Sequence, residues 1–226
     1  MCSSGSAIAK KFNKHFDVAI VDHAAPKSPS SLFIQLGKQG LEENFKPVED
    51  SLLKGFLRED KSIYGFICVA GGFEMHSLLS PELFKSYDAM LNKNLSPCLL
   101  AARLAAKYAE KNGFFVMTGA ATIFEEPRPA MLTYSLAKNA VHSLNLMLAK
   151  DPVFVEKGIR NFAILPTTID TPANRDSMPT ADHSEWIAPE DIANFLLMKA
   201  EEDSPTTPGA FVKLSSKKGQ FAIDYV

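Results

Sequence analysis

The chain has 226 residues, 46% of them hydrophobic and 22% charged, with a formal net charge of −2. That is enough apolar material for one α/β domain with a full core, and it excludes the basic field that holds a nucleic-acid backbone or an anionic membrane. The three cysteines, Cys2, Cys68 and Cys98, lack the paired spacing of a cysteine-built metal site, and no apolar run approaches the ~20 residues of a membrane helix. Free thiols and the lack of an apolar leader-like stretch make a cytoplasmic protein the expectation.

Residues 2–6 (CSSGS) read as the end of a phosphate-binding turn, and 7–16 as the helix after it. A doubly wound nucleotide-binding sheet begins with a strand and a glycine ahead of that turn. Here Met1 already stands in the turn. The expectation is therefore a natural product that starts about ten residues upstream, or a chain that is unstable and holds its cofactor poorly.

Strand and helix patterns then alternate. Residues 17–22 (DVAIVD) predict a short apolar strand closed by an acid, 24–31 a proline- and serine-rich loop, and 32–36 (LFIQL) a second strand. Residues 62–70 (SIYGFICVA) predict a third strand, stopped by Gly71 and Gly72. A long amphipathic helix is expected from 81 to about 111, capped by Ser80 and bent at Pro97. Residues 113–118 (GFFVMT) read as a fourth strand, 131–150 as a helix, and 159–165 as a fifth strand ended by Pro166. A long loop covers 171–187, a helix 189–200, and a sixth strand 210–214. Strands apolar almost throughout suit a parallel sheet buried on both faces. The whole pattern is that of one doubly wound α/β domain of Rossmann type over residues 1–226, without its opening strand.

Tyr134 and Lys138 stand at i and i+4 of the fifth segment's preceding helix, so phenol and ammonium share a face. A cation beside a phenol is expected to lower its pKa from about 10 toward working pH, making it a general acid. Alone, Y-x-x-x-K is a common coincidence. Its surroundings are not: Ala70-Gly71-Gly72 and Thr118-Gly119-Ala120 end the strands before it, and Pro166-Thr167-Thr168-Ile169-Asp170-Thr171-Pro172 follows the strand after it.

This set resembles the short-chain dehydrogenase/reductase family along nearly the whole chain. The resemblance implies that Tyr134 donates the proton, while Lys138 holds the nicotinamide ribose. It implies that Ser3, Gly5, Ala70, Gly71 and Gly72 let backbone approach the cofactor, and that Ile169, with Pro166 and Thr171, meets the nicotinamide carboxamide. Asp22 ends the second strand of such a fold, where an acid binds ribose hydroxyls and repels a 2′-phosphate, so NADH is expected over NADPH. The alternative for Asp22 is an acid that only caps a turn.

The family's usual serine is missing. Its place falls within residues 118–122 (TGAAT), with alanine at the best-aligned positions; Thr122 either reaches in or is a loop threonine. Within the family, the dihydropteridine reductase branch is similar at 67–72 (ICVAGG) and 164–186 (ILPTTIDTPANRDSMPTADHSEW). That likeness implies NADH-dependent reduction of a quinonoid dihydropteridine, as in tetrahydrobiopterin recycling, with Phe73 standing where the branch has a pterin-stacking tryptophan. It also implies a homodimer. Asn94 is either a proton-relay residue or an ordinary helix asparagine. Trp186 covers the active site or anchors its loop, the scattered histidines read as surface or core residues, Glu125-Glu126 as a solvated edge, and the face from Val141 to Leu148 as core. Two further functions stay open: another reductase of a carbonyl or heterocycle, and a non-catalytic nucleotide-binding protein on a truncated reductase scaffold.

Overall fold

The apolar runs become parallel strands in the computed structural model, which describes residues 2–26, 32–37, 40–57, 62–201 and 206–226. In chain order the elements are α1 (Ser3–Phe12), β1 (Ala19–Asp22), β2 (Leu32–Gln35), α2 (Leu41–Gly55), β3 (Ile63–Cys68), α3 (Leu83–Met90) and α4 (Ser96–Tyr108). Then come β4 (Ala109–Thr118), α5 (Leu132–Leu148), α6 (Pro152–Lys157), β5 (Arg160–Pro166), α7 (Pro172–Ser177), α8 (Pro189–Glu201), β6 (Ala210–Lys217) and β7 (Gln220–Tyr225). Strands β3, β4, β5 and β6 pair in that order, all parallel, and β7 closes the edge antiparallel to β6.

Alternation along the strands sorts the core into two layers. On one face, Phe114 and Val116 of β4 and Phe162 and Ile164 of β5 pack against α1 and α8. On the other, Phe115 and Met117, with Ala163 and Leu165, pack against α4, α5 and α6. Successive side chains of a strand point to opposite faces, so both sets of neighbours are buried at once. Each buried large apolar side chain contributes about 1.5–3 kcal/mol.

The sheet is divided. β1 pairs with β2 alone, and among the described residues no ladder joins β1 to β3. The smaller ladder is held to the larger by an apolar cluster that includes Ile34, Leu52, Ile63, Leu100 and Leu104.

Several boundaries differ from expectation. Residues 3–6 are helix, not loop: the Cys2 thiol accepts from Gly5 N at 3.3 Å and caps α1, which ends at Phe12 rather than 16. The long helix starts at Leu83, with Glu82 as its cap, because Ser80 Oγ is used by Glu82 N. Its break comes before Pro97, as a π-turn over Leu91–Leu95 in which Ser96 N–H reaches Leu91 O. Proline cannot donate to the fourth carbonyl back, and a widened turn absorbs the defect. Helix α2 was not expected, since Pro47 lies inside it. β7 and α6 are also additional. β4 begins four residues early, and β6 runs to Lys217. Of the 24–31 loop, residues 27–31 lie outside the described residues, as does Met1. No described helix is long and apolar enough to cross a membrane.

Candidate active site

β4 ends at Thr118, and α5 starts fourteen residues later at Leu132, so the sheet's carboxyl end meets the first turns of α5. There Lys138 is 3% exposed and its Nζ donates to Thr118 O at 2.7 Å. The same Nζ sits 5.9 Å from the Tyr134 ring centroid. Across from it lies Gly71, where an added Cβ would meet Asn94 Oδ1 at 3.0 Å and Lys138 Nζ at 3.7 Å. The lysine is at ordinary contact distance from that position, and it is the Asn94 amide that would have to give way to a side chain there.

Asn94 fixes that turn. It sits in the π-turn, fully buried, accepting from Gly72 N at 3.2 Å and donating to Gly72 O at 3.1 Å and Met90 O at 3.0 Å. Through these bonds the amide is a clamp on Gly72. Phe73 follows, 53% exposed, with its ring edge-on to Tyr134 at 4.9 Å between centroids. Ser86 and Thr133 share a 2.8 Å hydrogen bond that ties α3 to the start of α5.

The electrostatics correct one expectation. Burial pushes the Tyr134 phenol up to about 12 rather than down. Burial likewise pushes the Lys138 ammonium down to about 8, with Cys98 and Cys68 opposing it. The i, i+4 spacing brings the two residues close, but the ammonium hydrogen-bonds Thr118 O and not the phenol. Tyr134 thus keeps its proton at neutral pH, which suits a donor.

A residue missed by sequence reasoning completes the corner. His142 continues the Tyr134, Lys138 spacing by another four positions. Its Nε2 accepts from Ala120 N at 3.2 Å, and its ring stacks on Phe124 at 5.2 Å. Burial, then the charge of Lys138, pulls its pKa down to about 4, so it is neutral. Neutral His142 holds the Gly119-Ala120 backbone where the family's serine turn would run. Ala120 and Ala121 are both buried there. Thr122 Oγ1 is buried without a hydrogen-bond partner.

No family model matches the chain. Among curated proteins, it is 30% identical over 216 residues to the dihydropteridine reductase of Dictyostelium discoideum, covering 94% of this chain and 90% of that one. Among solved structures, a short-chain dehydrogenase/reductase from Serratia marcescens superposes with a TM-score of 0.80 at 19% identity, covering 97% of this chain and 94% of that chain. A short-chain dehydrogenase from Burkholderia cenocepacia in complex with NADP gives 0.73 at 21% identity, over 94% and 91%. The chain belongs to the short-chain dehydrogenase/reductase family.

The cofactor positions implied by this family fall into two groups. Gly5, Asp22, Ala70 and Gly71 line one cavity of about 1070 Å³. Asp22 ends β1, and its Oδ1 accepts from Ala24 N at 3.0 Å, so it caps its turn whatever else it binds. Ser3 stands in the first turn of α1 beside Gly5. The second group gathers after β5. Pro166 is the last residue of that strand, and Thr171 Oγ1 caps α7 through Asn174 N at 3.2 Å. Ile169 O accepts from Asn174 Nδ2 at 2.8 Å, which leaves its carbonyl already bonded. The 171–187 segment is stapled rather than loose. Arg175 forks onto Asp170 at 2.5 and 2.7 Å, Ile169 bridges to Ile187, and Trp186 is 9% exposed against His183, so the tryptophan anchors the loop. A glycine turn against a buried lysine, with an acid at a strand end on the same cavity, fits a nicotinamide dinucleotide.

Proposed function

We propose that the protein is an NADH-dependent reductase of a quinonoid dihydropteridine. The observation that carries this reading is the company Tyr134 keeps. Its ring meets the exposed Phe73 ring at 4.9 Å, while the neighbouring turn offers the buried alanines 120 and 121 in place of a serine hydroxyl. A flat heterocycle gains from an aromatic platform, and an imine conjugated into a quinonoid ring is electrophilic without a second hydroxyl to polarise it. The likeness to a dihydropteridine reductase supports the same substrate class.

The nicotinamide would supply the hydride. This chain's residues would do the rest. Gly71 and Gly72, clamped by Asn94, would admit the cofactor's backbone approach. Lys138 would hold the nicotinamide ribose. Asp22 would bind the adenosine ribose hydroxyls, which favours NADH. Tyr134 would deliver one proton to the ring nitrogen, and the resulting phenolate would be stabilised by the Lys138 ammonium nearby. Exposed Leu99 on α4 and Leu136, Leu146 and Met147 on α5 support a homodimer through these helices; sedimentation equilibrium checks the dimer.

The test is NADH oxidation with quinonoid dihydrobiopterin, with Tyr134→Phe alongside. Turnover by the wild type and a drop of ~10²–10⁴ in the variant are expected. No turnover by folded protein would sink the reading. The division of the cofactor positions between two ladders favours one alternative, a nucleotide-binding protein without catalysis. Tight NADH binding with no turnover of any pterin or carbonyl would select it.

A further inference from the structure

Two of the cysteines meet in the core beside the candidate site. Cys68 is the last residue of β3, and Cys98 lies in the first turn of α4. Their sulfurs are 3.5 Å apart, although 30 positions separate them in the chain. The Cys98 thiol also reaches Asn94 O at 3.3 Å, so its one proton has two acceptors. Both side chains lie in the apolar layer of Phe115, Met117 and Leu165, Cys68 at 7% exposure and Cys98 at 1%.

A buried cysteine is ordinarily inert. This pair differs in its contact and in its charge. Two sulfurs carried by different elements have only to close from 3.5 Å to the ~2.05 Å of a disulfide. The hydrogen bond from Cys98 holds the Cys68 thiol below its usual range against the effect of burial, with the Ala70 backbone and the Lys138 charge acting in the same direction. That hydrogen bond and burial push the Cys98 thiol well up. One sulfur therefore has thiolate character, and the other keeps its proton within reach to resolve it.

We propose that Cys68 and Cys98 are a reversible dithiol site, oxidised to a disulfide by hydrogen peroxide and reopened by a dithiol reductant. The Cys68 thiolate attacks one peroxide oxygen, and the O–O bond breaks. The departing hydroxide takes up the proton that Cys68 shed and leaves as water. Cys98 then attacks the sulfenic sulfur, the S–O bond breaks, and the hydroxyl leaves with the Cys98 proton as a second water. The two thiols lose two electrons and the peroxide gains them. A dithiol reverses the bond through a mixed disulfide. Closing the bond draws the start of α4 toward the end of β3 and takes its thiol donor from Asn94 O. The Asn94 amide clamps Gly72, so the bond disturbs the turn that admits the cofactor and weakens its grip. This coupling rests on the cofactor reading above; the disulfide does not.

The test treats the reduced 226-residue protein with a small excess of hydrogen peroxide, alkylates the remaining thiols and digests without reductant. The peptide map should show Cys68 joined to Cys98, two hydrogens lighter than the separate peptides, and dithiothreitol should restore both thiols. In Cys98→Ala, dimedone should trap a sulfenic acid at Cys68; none trapped in folded variant overturns Cys68 as the attacking sulfur. NADH affinity should fall at least threefold on oxidation, return on reduction, and not respond to peroxide in Cys68→Ser. Four results on the wild type overturn the site: both thiols still alkylated, a bridge mapped to Cys2, sulfinic acid at Cys68 in place of a bridge, or a bridge that forms only once helical circular dichroism is lost. A bridge that leaves NADH affinity unchanged overturns the coupling. Reduced protein that binds no NADH refutes the cofactor reading and the coupling with it, while the peptide map still decides the bridge.

Discussion

Replacing Lys138 by methionine should stabilise the protein while abolishing its chemistry. Lys138 is 3% exposed, and burial holds its ammonium at about 8. An ordinary lysine in the unfolded chain titrates near 10.5. The folded pKa is the lower one, so between pH 8 and 10.5 the unfolded chain binds more protons and stability rises with pH. At pH 7 the charged form costs the fold about 3 kcal/mol, and by pH 10 only about 1 kcal/mol remains. Methionine fills a similar volume without the charge. Urea melts at pH 7 should show Lys138→Met more stable by ~1–3 kcal/mol, with the gain shrinking by more than half at pH 10. Turnover should fall by at least about 100-fold, because the phenolate loses its cation. A variant less stable than wild type at pH 7, or a gain that grows toward pH 10, would refute the reasoning: the ammonium would then be held by attraction rather than tolerated.

Other consequences can be checked separately. His142 is buried with a pKa near 4, below the ordinary 6.5, so the unfolded chain takes up its proton first as pH falls. Wild type should lose about 3 kcal/mol between pH 6.5 and 4 from this residue, and His142→Gln should flatten that slope in acid melts. Asn94→Ala leaves Gly72 N and O without their partner and should cost ~1–3 kcal/mol. It should raise KM for NADH more than it lowers kcat, and exchange at Gly72 should quicken. Asp22→Asn keeps an acceptor for Ala24 N but drops the charge. Preference for NADH over NADPH should fall at least tenfold in paired kcat/KM measurements, and an unchanged ratio would show that Asp22 only caps its turn.

Much of the scaffold was legible because its signals are local. Phe114–Met117 of β4 and Phe162–Leu165 of β5 run without polar interruption, and such runs have one stable home, a strand covered on both faces. The Tyr134 and Lys138 pair was legible for the same reason, since helix geometry alone makes i and i+4 neighbours. What failed was direction. Spacing says nothing of where a flexible ammonium turns, and the Thr118 carbonyl took it. α2 was hidden by Pro47, and the start of α1 by a thiol cap, which is outside the usual set of capping side chains. His142 could have been found by extending the helix face one step past Lys138. The division of the sheet could not be read as geometry, because pairing between β1 and β3 is a long-range property of the chain.

That division bears on how a dinucleotide would be gripped. Asp22 belongs to the two-stranded ladder, whereas Gly71, Tyr134 and Lys138 are placed by the five-stranded one. Backbone ladders fix strand spacing through directional bonds; among the described residues no ladder joins β1 to β3, and side-chain packing around Leu52, Leu100 and Leu104 relates them. Apolar contact is non-directional and tolerates small sliding. The proposed proton donor and its lysine therefore sit on the five-stranded ladder, and Asp22, the proposed ribose-binding acid, on the two-stranded one. Chemistry at Tyr134 and affinity for the adenosine half of the cofactor should then respond to different perturbations. Changes in α5 should act on turnover, and changes in α1 or α2 on cofactor binding.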